Sequence, residues 1–452
     1  MPTVHIGNGA GFSGDRFDAS LPVIQALSQK QGPKYLTFEV LAERTIATAQ
    51  RIRQQDPSLG FSPYLSHYMG PALGPCLEHN ITIVSNMGAA NPIAGAHKIL
   101  EIAREQGLRP PRIGVLIGDD LLEYIELEKL RHSPTMEGTK IDGRAILAAN
   151  VYLGARHVAK VLAENVDVVL VGRTTDSALI LGPLIHEFGW TEDEWDLLAS
   201  GTICGHLLEC GGQVTGAYFA DPGFKDVPNL HEVGFPLAQV RSDGSFTITK
   251  PEGTGGLVNK ATVTEQLLYE MHDPAAYLVP DVTADVCAMT LHDVGEDQVN
   301  VRGIKGHEPP PTLKATLVVE HGFMAEAEMS YAGMNSYARA RLASDVVTRR
   351  MRNLGFNGDI RTDIIGAHSV LDGGKLPDEA PSFDGDYRVR LCMISQDRGR
   401  AQMLVDELQS LYCSGPAAGG GFRGYVSEQQ ATASILLPFG SVEPHVRVEV
   451  VA

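Results

Sequence analysis

The chain of 452 residues carries few of the features that would settle its chemistry at once. Its six cysteines, Cys76, Cys204, Cys210, Cys287, Cys392 and Cys413, form no CxxC pair and are irregularly spaced. That removes a zinc knuckle or a disulfide framework and leaves free thiols in a reducing compartment as the simpler reading. No apolar run reaches the ~20 residues needed to cross a bilayer, so no membrane partner is expected. The opening residues enter a strand pattern without a charged stretch ahead of an apolar one. No secretory signal is expected, and the expected compartment is the cytoplasm. Lys and Arg form no basic stripe, and the formal net charge is −18. A phosphate backbone would be repelled by that field, so no nucleic-acid partner is expected. GxxxxGK[ST], HExxH, GxSxG and paired-His metal spacings are missing too, which removes a P-loop and weakens zinc-hydrolase and serine-hydrolase readings.

What is present is a globular composition, with 43% hydrophobic and 20% charged residues. The length exceeds one ordinary compact core, so two domains are expected. The first half repeats one pattern: a short apolar run, a turn of small residues, an amphipathic stretch. Val4-His5-Ile6 leads into Gly7-Asn8-Gly9-Ala10-Gly11-Phe12-Ser13-Gly14-Asp15, and a helical pattern runs on to about Gln29. Ile81 to Val84 leads into Ser85-Asn86-Met87-Gly88, Ile113 to Ile117 into Gly118-Asp119-Asp120, and Val168 to Val171 into Gly172-Arg173-Thr174-Thr175-Asp176. Continuous β-branched runs alternating with amphipathic segments predict βαβ units and a parallel sheet. The second half differs. A hairpin is predicted around Ser242-Asp243-Gly244, β-rich runs follow to about Met329, and helices are predicted over 336–354 and 399–412. The expected fold is α/β, a mostly parallel, Rossmann-like sheet with helices on both faces over residues 1–225. An α+β domain with a mixed sheet and glycine-rich loops is expected over 226–452.

In an open parallel sheet the ligand lies beyond the carboxyl ends of the strands, and the polar turns above fall at such ends. Gly9-Ala10-Gly11-Phe12-Ser13-Gly14 matches the GxGxxG of dinucleotide sites. That signature also needs an acidic residue at the end of the second strand, ~20 residues on. Glu39 is the only candidate, and Phe38-Glu39-Val40 reads as the entry to a helix. Two other readings stand beside it: a tight strand-to-helix turn, or a turn whose amides, with Asn8, Ser13, Asp15 and Arg16, hold a substrate anion. Asn86 is a ligand candidate; Asn91 either binds or caps the helix opened by Pro92. Arg173 offers a planar fork to a carboxylate, flanked by Thr174 and Thr175, and Asp176 is either a general base or a helix cap. In Glu209-Cys210-Gly211-Gly212-Gln213, Glu209 is the second acid/base candidate and Gly212 and Gln213 substrate contacts. Cys210, one turn from His206, is either a nucleophile or merely packed. Thr254 and Arg423 mark two further glycine-rich loops, each a lid or a plain connection. No cofactor is expected; Asp119-Asp120 is either a Mg²⁺ ligand pair or a solvated helix turn.

The segments IGNGAGFSGDR, SNMGAANP, VGRTTDSAL, ECGGQVTG, KPEGTGGLV and SGPAAGGG occur in this order. Together they resemble the acyclic terpene utilisation family, the AtuA-type proteins, over nearly the whole chain from Ile6 to Val450. The resemblance implies a role in bacterial breakdown of acyclic terpenes such as citronellol and geraniol, among enzymes that handle branched acyl-CoA thioesters. It implies no particular reaction and no catalytic residue. Three functions follow as expectations. The first is acid/base chemistry of hydratase, lyase or isomerase type on a small carboxylate or branched acyl-CoA thioester. The second is a non-catalytic ligand-binding or accessory subunit; the third is a hydrolase using Cys210. A homo-oligomer is the expected assembly.

Overall fold

Val168 to Val171 are all buried, as are Val4 to Asn8. A strand covered on both faces has no reason to alternate with polar residues, so Val168 to Val171 is continuous and apolar. Each such Val or Ile stabilises the core by about 1.5–3 kcal/mol relative to exposure. The computed structural model describes residues 1–138, 140–141, 143–370 and 385–452.

Eight strands carry the first part of the fold: β1 (Thr3–Asn8), β2 (Lys34–Phe38), β3 (Thr82–Ser85), β4 (Ile113–Ile117), β5 (Ile146–Val151), β6 (Val168–Val171), β7 (Leu237–Arg241) and β8 (Phe246–Thr249). The described residues form a ten-stranded sheet in the order Thr290–Gly295, Gln298–Arg302, β8, β7, β1, β2, β3, β6, β4, Arg447–Val451. The central strands β1, β2, β3, β6 and β4 are parallel. The strands flanking them on either side are antiparallel. β5 lies outside this sheet and pairs with Thr312–Ala332. Helices Ser20–Ser28, Leu65–His79 and Pro92–Glu105 pack on one another and on the parallel strands. Helices Ala155–Leu162, Ala178–Phe188 and Trp195–Glu209 form a second such group.

The α/β class therefore holds, and the Rossmann-like expectation is corrected. Half of the sheet is antiparallel, and the order of the parallel strands is not that of a doubly wound dinucleotide fold. The predicted hairpin is present, with Gly244 at φ +81° closing it onto Arg241. β7 pairs with β1 and so extends the first sheet.

Two compact units result: residues 1–142, 146–318 and 432–452, and residues 143–145 and 319–431. Residues 226–318, placed by sequence with the second half, belong to the first unit because their strands hydrogen-bond to β1 and β8. In the second unit, antiparallel strands pack with helices Ser336–Asn353 and Arg398–Ser414 around Met329, Tyr331, Tyr387, Leu391 and Leu404.

Candidate functional site

Register brings the strand ends together. Asn8 lies opposite Thr37, Phe38 opposite Ser85, Ser85 opposite Leu170, and Leu116 opposite Val171. The residues that follow, Glu39, Asn86, Asp119 and Arg173, therefore leave the sheet at one edge. Glu39 follows the last residue of β2 and does not enter a helix, since the next helix begins at Glu43.

Arg173 is the cation at this edge and is 4% exposed. Its Nη1 donates to the Leu41 carbonyl and, at 2.7 Å, to Asp176 Oδ1. Its guanidinium lies 4.2 Å over the Tyr152 ring. Tyr152 in turn donates to Glu43. Burial disfavours the charged guanidinium, but Asp176, Tyr152, Glu43 and Glu39 outweigh that and hold it protonated. A buried cation needs such partners, because an unpaired one costs several kcal/mol. Among the described residues, Nε of Arg173 is buried with no partner, as are the hydroxyls of Thr174 and Thr175.

Glu39 accepts from Asn86 Nδ2 at 2.7 Å and from the Leu41 amide at 3.1 Å. Burial first, then Asp176, pushes its carboxyl well above the usual range, against the pull of Arg173. The strand-end logic applied to the other turns would have found Glu39. Phe38-Glu39-Val40 reads instead as the entry to a helix, which hides it.

Glu209 reaches the same place from the end of helix Trp195–Glu209. Its Oε1 lies 3.0 Å from His206 Nδ1, and its Oε2 is buried with no hydrogen-bond partner among the described residues. His206 Nε2 lies 3.0 Å from the Leu267 carbonyl. A carbonyl only accepts, so Nε2 carries a hydrogen, and one proton is shared between Nδ1 and Oε1. Burial pushes the Glu209 carboxyl up to about 7, with His206 opposing and Asp176 adding to the rise. Burial alone would lower the His206 pKa, but the hydrogen bond to Glu209 raises it. Tyr277, absent from the sequence candidates, has its hydroxyl 3.5 Å from His206 Nδ1.

The opening turn is occupied from within. Asp15 accepts from the Gly11 amide at 3.0 Å and from the Arg16 amide at 2.8 Å. Tyr68 donates to the Asp15 carbonyl at 3.0 Å and to that of Ser13 at 3.4 Å. Asn8 donates to the carbonyls of Leu208 and Glu209 at 2.6 and 2.9 Å, which ties the turn to the Glu209 helix. A Cβ on Gly11 would lie 2.2 Å from the Cys210 carbonyl carbon, so the Cys210-Gly211 backbone fills the space a pyrophosphate would need. The dinucleotide signature fails on that contact, although Glu39 is at the position it requires.

The remaining candidates divide. Asn86 joins the Glu39 network and fixes the Val40 amide at 2.8 Å. Asn91 caps the helix at Ala94, 3.3 Å away, and its amide donates to Pro57 and Leu59. Arg16 forms an exposed pair with Asp18 at 3.2 Å. Gly212 is buried, and Gln213 lines a groove beside Tyr218 and Gln266. Thr254 donates to Pro251 inside its own turn, and Arg423 lies on Gly420–Pro438. Asp119 accepts from the Arg173 amide at 2.8 Å and Asn150 at 2.9 Å, and Asp120 from Gln50 at 2.8 Å. Gly172 makes the Asp119 approach feasible, since a Cβ there would lie 2.5 Å from its carboxylate. Among the described residues, no group of three or more His, Cys, Asp or Glu is arranged to hold a metal ion. The imidazole one turn from Cys210 is engaged elsewhere, since His206 is held by Glu209 and Leu267.

The site is thus rich in carboxyl groups, with Glu39, Glu43, Asp176 and Glu209 around one arginine and one histidine. A family model described as "Acyclic terpene utilisation family protein AtuA" matches residues 4–448. No curated protein and no solved structure matches the chain. With nearly its whole length matched by that one model, the chain belongs to the acyclic terpene utilisation family, the AtuA proteins, and has its role in acyclic terpene utilisation.

Proposed function

We propose that the protein is an enzyme that moves protons on a small acid derivative of acyclic terpene breakdown, a branched acyl thioester, by chemistry of the hydratase, lyase or isomerase type. The observation that carries this is Glu209. One of its oxygens is held by His206, the other is buried without a partner among the described residues, and its carboxyl is pushed up to about 7. A general acid or base works best when its pKa lies near the operating pH. Adding or removing water needs two acid–base groups, and Asp176, paired with Arg173 at 2.7 Å, is the second. A thioester carries no charge at its reacting end, which suits an acid-rich site better than a free carboxylate does.

The test is turnover of branched acyl-CoA thioesters by Glu209→Gln and Asp176→Asn. Loss of roughly 10²–10⁴ in each, with unchanged melting, is expected for general acid–base groups. Full activity in both variants would overturn the assignment. A ligand-binding accessory subunit is the second reading, favoured by the engagement of Asn8, Asp15 and Asn86 with the protein itself. It would show as stabilisation by a thioester, roughly 2.7 kcal/mol at 100-fold its Kd, without turnover.

A further inference from the structure

Beside the site, in the same unit, runs a groove of about 850 Å³. That lies within the roughly 300–1,000 Å³ of ligand pockets. Its walls are Ala217, Tyr218, Phe219, Phe224, Leu268 and Tyr269. Phe224 and Tyr218 leave 87% and 80% of their surface in water, and Leu268 54%. Tyr218 is held at φ +61°, a left-handed conformation that a bulky residue adopts only under constraint. The cations at the rim are already paired, Lys225 with Glu265, and Lys260 with Asp293 at 3.7 Å. The groove therefore offers apolar surface and no free anion site.

The inner end of the groove is polar and touches the proton-sharing pair. Gln266 is 3% exposed and donates to the His206 carbonyl at 3.3 Å. Gln213 belongs to the turn Gly211–Gln213 that follows Cys210 directly. The groove is thus continuous with the residues that position Glu209.

We infer that this groove binds the hydrocarbon chain of the site's substrate, with the reacting end toward Gln266 and Glu209. The inference rests on the proposed site for its direction, and on the groove alone for its chemistry. Burial of an apolar chain contributes about four-fold in affinity per methylene.

Neutral alcohols test the groove, since the acid-rich end would repel a fatty acid. Titration calorimetry of 1-hexanol, 1-octanol and 1-decanol should show affinity climbing with chain length. Leu268→Asp and Phe224→Asp, both at exposed positions, should lower 1-decanol affinity ten-fold or more while melting as the parent does. Glu209→Gln should bind 1-decanol as the parent does. Equal affinity for the three alcohols, no binding, or unchanged binding in both aspartate variants would overturn the groove. So would a parent dimer that Leu268→Asp converts to a monomer, with no alcohol bound by either; the groove would then be covered by a second copy. The two proposals fail separately. An active Glu209→Gln with chain-dependent alcohol binding sinks only the acid–base assignment, and an inactive one without alcohol binding sinks only the groove.

Discussion

His206 Nδ1 lies 3.0 Å from Glu209 Oε1, and its other ring nitrogen is fixed 3.0 Å from the Leu267 carbonyl. The imidazole therefore holds the carboxyl in place and lowers its pKa relative to burial alone. Removing it should let the Glu209 pKa rise further. In His206→Phe, the limb of the kcat/KM profile that reports the ionised carboxylate is expected to move to higher pH, with lower activity at neutrality. An unmoved limb, with the protein folded, would remove Glu209 from the reaction.

Cys210 sits where burial, and then Glu209 and Glu39, push its thiol up, away from the nucleophilic form. Cys210→Ser is expected to keep its turnover. Iodoacetamide near neutral pH should label the exposed Cys287 and Cys413 and leave Cys210 unmodified on a peptide map. Rapid alkylation of Cys210 that tracks with loss of activity would restore the hydrolase reading.

Asp119 is 5% exposed, and burial pushes its carboxyl from 3.8 to about 7. Between those values the folded chain holds a proton that the unfolded chain has released. Stability is then greatest below the lower value and falls as pH rises through the upper one. One such group sets a slope of at most about 1.4 kcal/mol per pH unit. Urea unfolding at pH 5 and 7.5 should show the parent more stable at pH 5, and a smaller difference in Asp119→Asn. The new amide oxygen can still accept from the Arg173 amide. An identical difference in parent and variant would mean that Asp119 is already ionised at pH 5.

Gly11 and Gly14 belong to one turn but face different neighbours. A Cβ on Gly11 would lie 2.2 Å from the Cys210 carbonyl carbon and 2.4 Å from the Gly211 nitrogen. On Gly14 it would meet only the ring of Phe12, at 2.9 Å, and that ring is 63% exposed. Gly11→Ala should destabilise by roughly 1–3 kcal/mol, as overpacking against immobile atoms does, and Gly14→Ala by much less. Equal melting temperatures for the two variants would contradict the packing of the two glycine turns.

The sequence by itself determined the local elements. Val168 to Val171 reads as a strand, 336–354 as a helix, and Ser242-Asp243-Gly244 as a hairpin turn, because apolar periodicity and turn chemistry act over a few residues. It also located the strand-end turns, and its motifs pointed to the family. Tertiary structure decided what each polar group does there. Asn8 bonds to carbonyls 200 and 201 residues away, Asn86 to a glutamate 47 residues earlier, and Arg173 to a carbonyl 132 residues earlier. Asp15, by contrast, turned out to bind its own loop. A side chain that can bind a ligand can equally satisfy a buried backbone group, and only the packed chain shows which of the two is nearer. The assignment of residues 226–318 followed the same rule: β7 met the open edge of β1, and that hydrogen bonding drew those residues into the first unit.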